Sequence, residues 1–247
     1  MVFYYAFTDK TGAFTLDNVT RLTDYTSTFL RSLWFGIVAT IICLLIAYPL
    51  AYILSRMKLR AQSTMVMLVM IPMWMNFLLR TYAWMTLLED SGVINNILAK
   101  INIGPFHMIN TSGAVILGMV YNYLPFMILP LHTVLSSIDK NYIEAAEDLG
   151  ADKFQVFAKT ILPLSVPGIL SGITMVFIPT ISTFAISQLL SDSTVFLFGD
   201  SIQMKFDQGL YGVGSVMSLV MIILVLVSNF IMNRFSKTSA TGGRNLW

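Results

Sequence analysis

Side chains that carry bond chemistry are sparse in this sequence and far from one another. Cys43 is the single cysteine, and the two histidines, His107 and His132, lie in different segments. One thiol cannot form an intramolecular disulfide, and these residues match neither a metal-ligand spacing nor a Ser/His/Asp or Cys/His catalytic arrangement. A glycine-rich P-loop is also absent from the sequence. We therefore expect no catalysis by this chain, no bound metal and no cofactor of its own.

Aromatic rings and carboxylates form a second candidate set, which is suited to binding a cation. An ammonium group gains about 0.5–2 kcal/mol over an aromatic face. We predict that a cationic solute meets residues drawn from Trp74, Tyr82, Tyr121, Tyr123, Phe184, Glu89, Asp90 and Asp192. For Tyr82 the alternative is an interfacial aromatic belt, and for Trp74, Tyr121 and Tyr123 it is helix packing.

The charges near these residues favour cationic cargo, with one exception. The segments after the second and fourth predicted helices carry five carboxylates against two lysines, the carboxylates being Glu89, Asp90, Asp192, Asp200 and Asp207. Arg80 opposes this balance because its guanidinium would repel a cation. We expect Arg80 to reach the lipid headgroups or to pair with Glu89 or Asp90 instead.

Residues 135–166 carry a third pattern, which is typical of two short helices at an angle. Asp139 is placed to begin the first helix, and Gly150 to end it. Asp152 is placed to begin the second, with Gln155 three residues further on, as in a capping box. A helix pair of this kind is suited to docking in a groove of a soluble partner.

The apolar periodicity of this segment predicts one apolar face on each short helix, which suits docking on a partner. The first face would hold Ile143, Ala146 and Leu149, and the second Phe154, Phe157 and Ile161, leaving Glu144, Glu147 and Asp148 exposed. The alternative is a hairpin lying on the lipid surface. Five carboxylates against three lysines argue against it, because an anionic leaflet repels such a segment.

The composition places these patterns in a membrane protein. Hydrophobic residues make up 56% of the 247 residues and charged residues 11%, against roughly 25% charged in soluble domains. Such a chain cannot cover its surface with polar groups. The formal net charge of +2 is too small and too dispersed to indicate nucleic-acid binding.

We predict an all-α polytopic membrane bundle with five spans. A bilayer core of about 30 Å needs roughly 20 apolar residues for each helix. Runs of that length fall at Ser32–Leu54, Ser63–Trp84, Ser112–Val134, Pro167–Leu189 and Val213–Met232. We therefore expect a transmembrane domain over residues 32–247 that contains the loop 135–166.

Basic residues predict the orientation, because cytoplasmic loops carry an excess of lysine and arginine. Nine lie on one side, namely Arg56, Lys58, Arg60, Lys140, Lys153, Lys159, Arg234, Lys237 and Arg244. Five lie on the other, namely Lys10, Arg21, Arg31, Lys100 and Lys205. The carboxyl terminus and the loop 135–166 are then cytoplasmic, and residues 1–31 are outside. Residues 1–31 are then either translocated without help or include the remnant of a preceding span, and we favour the second explanation.

The loop resembles a known sequence motif. Glu144, Ala145 and Ala146, then Gly150, then Ile161, Leu162 and Pro163 are similar to the EAA motif of ABC importer permeases. In that family the motif forms the coupling helix that seats in the ATPase subunit. The resemblance implies that these seven residues couple the chain to an ATPase, which binds the ATP and magnesium.

The resemblance covers nearly the whole chain. The stretches 14–18, 71–76, 80–82, 120–127 and 166–169 resemble the first permease subunit of bacterial spermidine/putrescine importers. The resemblance implies a type I permease fold of six spans in the inner membrane. It also implies four kinds of neighbour, namely a second permease subunit, two ATPase subunits, a polyamine-binding receptor outside and the surrounding lipid.

We therefore expect a permease subunit of an ATP-driven polyamine importer. One alternative keeps the architecture and changes the solute to sulfate, molybdate or ferric iron. A stand-alone secondary transporter is the second alternative. It would show internal repeats with ionisable residues at the midplane, and the sequence shows neither.

Overall fold

The computed structural model describes residues 1–8, 13–192 and 194–241, and the secondary structure of this part is predominantly helical. Lys10 and Arg244, which contribute to the charge count, lie outside the described residues. The α-helices are α1 Val2–Ala6, α2 Asp17–Thr20, α3 Thr26–Ser55, α4 Leu59–Trp74, α5 Phe77–Leu88, α6 Val93–Lys100, α7 Ser112–Ser137, α8 Lys140–Asp148, α9 Lys153–Val156, α10 Leu162–Ser182, α11 Ala185–Ser191, α12 Phe198–Asp207 and α13 Tyr211–Thr241. A 3₁₀-helix covers Arg21–Tyr25, and a π-helix covers Phe157–Ile161.

The predicted membrane-helix bundle is confirmed. In the part of the chain that the structure describes, four helical stretches are long and apolar enough to span a bilayer, at Asp17–Ser55, Ser112–Ser137, Lys153–Ser182 and Tyr211–Met232. A fifth span is possible where Leu59–Trp74 and Phe77–Lys100 form a pair bent by 89°. The helices that correspond to the first and third predicted spans, α3 and α7, are longer than predicted.

The second predicted span, Ser63–Trp84, is wrong as a single helix, because α4 ends at Trp74 and α5 begins at Phe77. Pro72 removes one backbone donor near this break. The Asn76 side chain then accepts hydrogen bonds from the backbone N–H groups of Leu78 at 2.8 Å and Leu79 at 3.4 Å, which starts a new helix. The fourth predicted span, Pro167–Leu189, is likewise divided between Ser182 and Ala185.

The first compact unit comprises residues 1–39, 75–122 and 177–227. Its hydrophobic core is built around Ile181, Phe198, Val213, Met217 and Met221. The backbone N–H of Phe198 donates a hydrogen bond of 2.7 Å to the buried Ser32 hydroxyl. This bond ties the start of α12 to α3.

The second unit comprises residues 40–74, 123–176 and the described residues from 228 onward. Glycines allow α7 and α10 to approach closely here. A Cβ on Gly168 would lie 3.0 Å from the Pro130 carbonyl oxygen, and one on Gly172 would meet the Met127 side chain. Such small residues are typical of membrane helix packing, where backbones must come near to gain dispersion contacts.

Asp200, which the sequence places among the exposed outer carboxylates, is buried in the first unit with 2% of its surface exposed. Its Oδ2 accepts a hydrogen bond of 2.8 Å from the Leu197 backbone N–H at the start of α12. Its Oδ1 has no hydrogen bond within the described residues. Burial therefore raises the pKa of this carboxyl, and the hydrogen bond from Leu197 offsets only part of the effect.

The buried carboxyl predicts a pH-dependent stability. Its pKa is higher in the folded chain than in the unfolded chain, so the ionised form destabilises the fold. This destabilisation is absent below the unfolded pKa, grows as the pH rises, and is complete above the raised folded pKa. Asp200→Asn keeps an oxygen for the Leu197 N–H and removes the charge. We expect the variant to lose this pH dependence and to unfold at a higher temperature at neutral pH, by roughly 2–4 °C per kcal/mol relieved.

Thermal unfolding of the chain in nanodiscs, from acidic to neutral pH, measures this effect. Asp207→Asn is the matched control, because Asp207 lies on the same helix and is exposed. A wild-type protein whose stability rises across the same pH range would contradict the assignment.

Candidate functional site

The loop between α7 and α10 begins its helices as predicted. Asp139 caps α8, with its Oδ1 accepting a hydrogen bond of 3.0 Å from the Asn141 backbone N–H. Asp152 caps α9 in the same way, accepting a hydrogen bond of 2.8 Å from the Gln155 backbone N–H. Both predicted caps are confirmed. They supply acceptors for N–H groups that a helix cannot satisfy internally.

Gly150 ends α8 and sets the angle between the two short helices. Its φ of +83° lies in the left-handed region, which glycine adopts without steric cost. The Gly150 N–H donates to the Glu147 carbonyl at 2.9 Å, and the Ala151 N–H donates to the Ala146 carbonyl at 3.1 Å. This pair of bonds is a Schellman motif, so the turn is fixed by hydrogen bonds within the backbone.

The loop presents large apolar side chains to its surroundings. Leu149 is 89% exposed and Phe154 is 77% exposed, and Tyr142 is exposed as well. Leu149 is the C-cap residue that follows α8, and its exposed side chain is available to a partner. On the predicted apolar face of the second helix, Phe154 is exposed, whereas Phe157 is half-buried and Ile161 is buried.

The seven residues of the EAA-like pattern fall into an exposed and an inner part. Glu144, Ala145 and Gly150 are exposed, and Ala146 is half-buried. Ile161 is buried at the end of the π-helix, whereas Leu162 and Pro163 at the start of α10 are exposed. α8 and α9 both contact the π-helix. The EAA-like pattern therefore connects the exposed helix α8 to the first residues of α10.

The aromatic candidates for a solute pathway differ in how accessible they are. Trp74 is 75% exposed in the second unit, and Tyr82 and Phe184 are exposed in the first. Tyr121 packs edge-on against Trp84, with ring centroids 5.3 Å apart. Tyr123 is buried and lies 6.4 Å from the Phe126 ring. Trp74, Tyr82 and Phe184 therefore keep free ring faces, while Tyr121 and Tyr123 contribute to helix packing.

The carboxylate candidates all lie in the first unit. Asp90 is exposed, and its Oδ1 lies 3.0 Å from Nδ1 of His107. Glu89 is half-buried at the end of α5. Asp192 is exposed and has a left-handed backbone with a φ of +42°. Among the residues that the structure describes, no group of three or more His, Cys, Asp or Glu side chains could hold a metal ion.

Arg80 is placed differently from either expectation. Its side chain is only 8% exposed, and Nε and Nη1 have no hydrogen-bond partner among the described residues. It neither reaches outward nor pairs with Glu89 or Asp90. α5 packs against α11, and Arg80 and Thr81 are buried on this helix, whereas the neighbouring Leu78 and Leu79 are exposed.

The comparisons with known proteins agree with this architecture. The "Binding-protein-dependent transport system inner membrane component" family matches residues 44–239. The spermidine/putrescine transport system permease protein PotB of Haemophilus influenzae is 37% identical over 228 residues, which cover 90% of this chain and 80% of that protein. The PotB protein of Escherichia coli is 38% identical over 197 residues, covering 78% of this chain and 72% of that protein.

Solved structures show the same fold. A chain of a bacterial ABC transporter involved in importing the acidic polysaccharide alginate has a TM-score of 0.70 at 18% identity, covering 95% of this chain and 87% of that chain. A chain of the MetNI methionine ABC transporter has a TM-score of 0.61 at 18% identity, covering 87% of this chain and 95% of that one. This chain therefore belongs to the family of binding-protein-dependent transport system inner membrane components and is an ABC importer permease with the type I fold.

Proposed function

We propose that this chain is the polyamine-translocating permease subunit of an ATP-driven importer and that its α8–α9 loop docks on a separate ATPase. The chain itself performs no bond chemistry in this proposal, and the ATPase binds the ATP and magnesium. The observation that carries the coupling role is the capped helix pair that exposes Leu149 and Phe154. The polyamine assignment is supported by the relatives with 37% and 38% identity, whose names specify spermidine and putrescine.

The exposed apolar side chains of the loop support docking on a soluble protein. Leu149 and Phe154 flank the turn at Gly150, and exposed carboxylates of α8 surround them. An apolar patch that is rimmed by charge is typical of a protein interface. The same carboxylates disfavour contact with an anionic leaflet. The loop and the carboxyl terminus then lie in the cytoplasm, and residues 1–31 lie outside.

Cationic cargo is supported by the free aromatic faces and by the position of Arg80. Trp74, Tyr82 and Phe184 are available to ammonium groups, and Glu89 and Asp192 add negative charge in the first unit. Arg80 is covered, so its positive charge does not form part of an exposed surface. A sulfate or molybdate pathway would instead present exposed cationic or N–H donor groups to the anion.

In the proposed cycle, movement of the α8–α9 loop changes the tilt of the attached helices. Two ATPase subunits close on ATP and draw α8 with them, and the movement tilts the attached helices α7 and α10. The cavity that this chain forms with a second permease subunit then opens outward, and a receptor delivers the polyamine. Nucleotide hydrolysis reverses the movement.

Leu149→Ala and Phe154→Ala test the docking role. Each removes an exposed apolar side chain without disturbing a cap, so the chain should remain folded and inserted. Loss of a central interface anchor costs about 2 kcal/mol, which corresponds to roughly 30-fold weaker ATPase binding. Binding of the purified ATPase subunit to the permease pair in nanodiscs measures the effect. Leu226→Ala and Phe230→Ala are matched controls, because both residues are exposed on α13. Unchanged affinity in both loop variants would rule out the docking role.

Trp74→Ala and Phe184→Ala test the solute pathway. If each ring contacts an ammonium group, we expect the KM for spermidine uptake to rise by about 10-fold, which corresponds to 1.4 kcal/mol. Uptake of labelled spermidine into proteoliposomes that contain the complete transporter gives the KM. Trp34→Ala is the control, since Trp34 is an exposed tryptophan on α3. An equal rise in all three variants, or in none of them, would refute the assignment.

A further inference from the structure

We propose that four side chains, Tyr48, Tyr52, Phe157 and Ser165, transmit the movement of the coupling loop sideways to α3. We refer to these four residues as the transmission cluster. The inference rests on the proposed function, because it concerns how ATPase docking at the loop reaches the rest of the chain. It adds positioning residues that lie outside the EAA-like pattern. All four belong to the second unit.

Phe157 forms the centre of the cluster. Its ring is edge-on to Tyr48 at a centroid distance of 5.8 Å and an interplanar angle of 89°. It is also edge-on to Tyr52 at 5.9 Å and 86°. Tyr48 and Tyr52 are one helical turn apart on α3 and therefore share a face. One ring that is held between two others in this geometry has little freedom to slide.

A chain of two hydrogen bonds adds a directional link. The Ser165 hydroxyl donates to the Leu162 carbonyl at 2.8 Å, and its oxygen lies 2.8 Å from the Tyr48 hydroxyl. Because the single proton of Ser165 is used on Leu162, the Tyr48 hydroxyl is the donor to Ser165. Ser165 is fully buried and Tyr48 is half-buried, so this bond is partly shielded from water. These two hydrogen bonds therefore connect α3 to the backbone at the start of α10.

The π-helix explains why this contact matters at this position. Phe157 is its first residue, and it lies between α9 of the coupling loop and α10. A π-helical turn is less stable than an α-helical one and often occurs at functional sites. Val156 before it and Ile161 at its end are buried, so the widened turn is held by packing. A displacement of the loop must pass through this turn, and Phe157 moves with it.

The cluster connects segments that are far apart in the sequence. Tyr48 and Ser165 are separated by 117 positions, so α3 has no short covalent connection to the loop. Packed side chains and hydrogen bonds that are contiguous can carry coupling between distant elements. Pro49 lies between the two tyrosines and removes one backbone hydrogen bond of α3, which gives this helix a place to bend. Arg56 stacks 5.3 Å above the Tyr52 ring and extends the contact toward the end of α3.

Tyr48→Phe and Phe157→Leu separate the two parts of the cluster. The first removes only the hydroxyl, and the second keeps the apolar volume but loses the edge-on contacts. We expect each to lower spermidine uptake by about 10-fold in proteoliposomes that contain the complete transporter, with ATP hydrolysis within about twofold of wild type. Spermidine uptake by the double variant should be no lower than uptake by the less active single variant, because both substitutions act on the same connection. Tyr4→Phe and Phe230→Leu are the matched controls, since both residues are exposed and lie outside the cluster.

A second measurement tests the transmission cluster without using a transported solute. Hydrogen exchange of residues 48–56 is compared in the permease pair with and without the bound ATPase subunit. We expect ATPase binding to change the exchange in wild type and to leave it unchanged in Phe157→Leu, although the ATPase still binds. Normal ATPase binding with the same exchange response in both proteins would overturn this inference and leave the proposed function standing. A wild-type pair that binds no ATPase would overturn both. A proportional loss of uptake and hydrolysis, with less assembled complex, would show that the cluster only stabilises the fold.

Discussion

Lipid supplies no hydrogen-bond partner to a peptide backbone, so each point where a spanning helix stops or widens must be satisfied locally. In this chain the interruptions carry their own partners. Asn76 caps the helix that starts after the α4 break. In the loop outside the spans, the backbone bonds at Gly150 and the Asp152 cap satisfy the turn between α8 and α9 in the same local way. The widened turn at Phe157–Ile161 is held by buried neighbours and by the two tyrosines of α3. The residues that we propose for coupling lie at the α8–α9 turn and beside the widened turn, because a continuous helix offers neither a turn nor a joint.

The coupling loop combines a rigid turn with exposed apolar side chains. The Schellman bonds at Gly150 fix the angle of the two short helices, so Leu149 and Phe154 are held in position before any partner binds. Such preorganisation lowers the entropy cost of docking. The opposite end of the same segment is packed, through Phe157 and Ser165, against α3. A force applied to the exposed end is therefore delivered to two places, along α10 and across to α3.

Features that depend on a few neighbouring residues could be predicted from the sequence. The capping aspartates Asp139 and Asp152 and the turn at Gly150 follow from local side-chain and backbone chemistry, and all three are found. The approximate positions of the apolar helices follow in the same way from their composition, whereas the breaks within the second and fourth predicted spans do not. The EAA-like spacing could be matched because it lies on one continuous segment.

Features that depend on packing between distant segments could not be predicted. Arg80 is buried on α5, which packs on α11, and Asp200 is buried although nearby carboxylates are exposed. The contact of Phe157 with Tyr48 and Tyr52 joins positions that nothing in the local sequence relates. The available signal was two tyrosines one turn apart beside Pro49 in an otherwise apolar run.

The central claim is that the turn at Gly150 faces the cytoplasm and is covered by a separate ATPase. It is tested most directly by placing Glu147→Cys in a Cys43→Ser background and labelling with a membrane-impermeant maleimide in vesicles of known orientation. The account predicts labelling only from the cytoplasmic side and protection when the ATPase subunit is bound. Labelling from the outer side, or equal labelling with and without the ATPase, would contradict it.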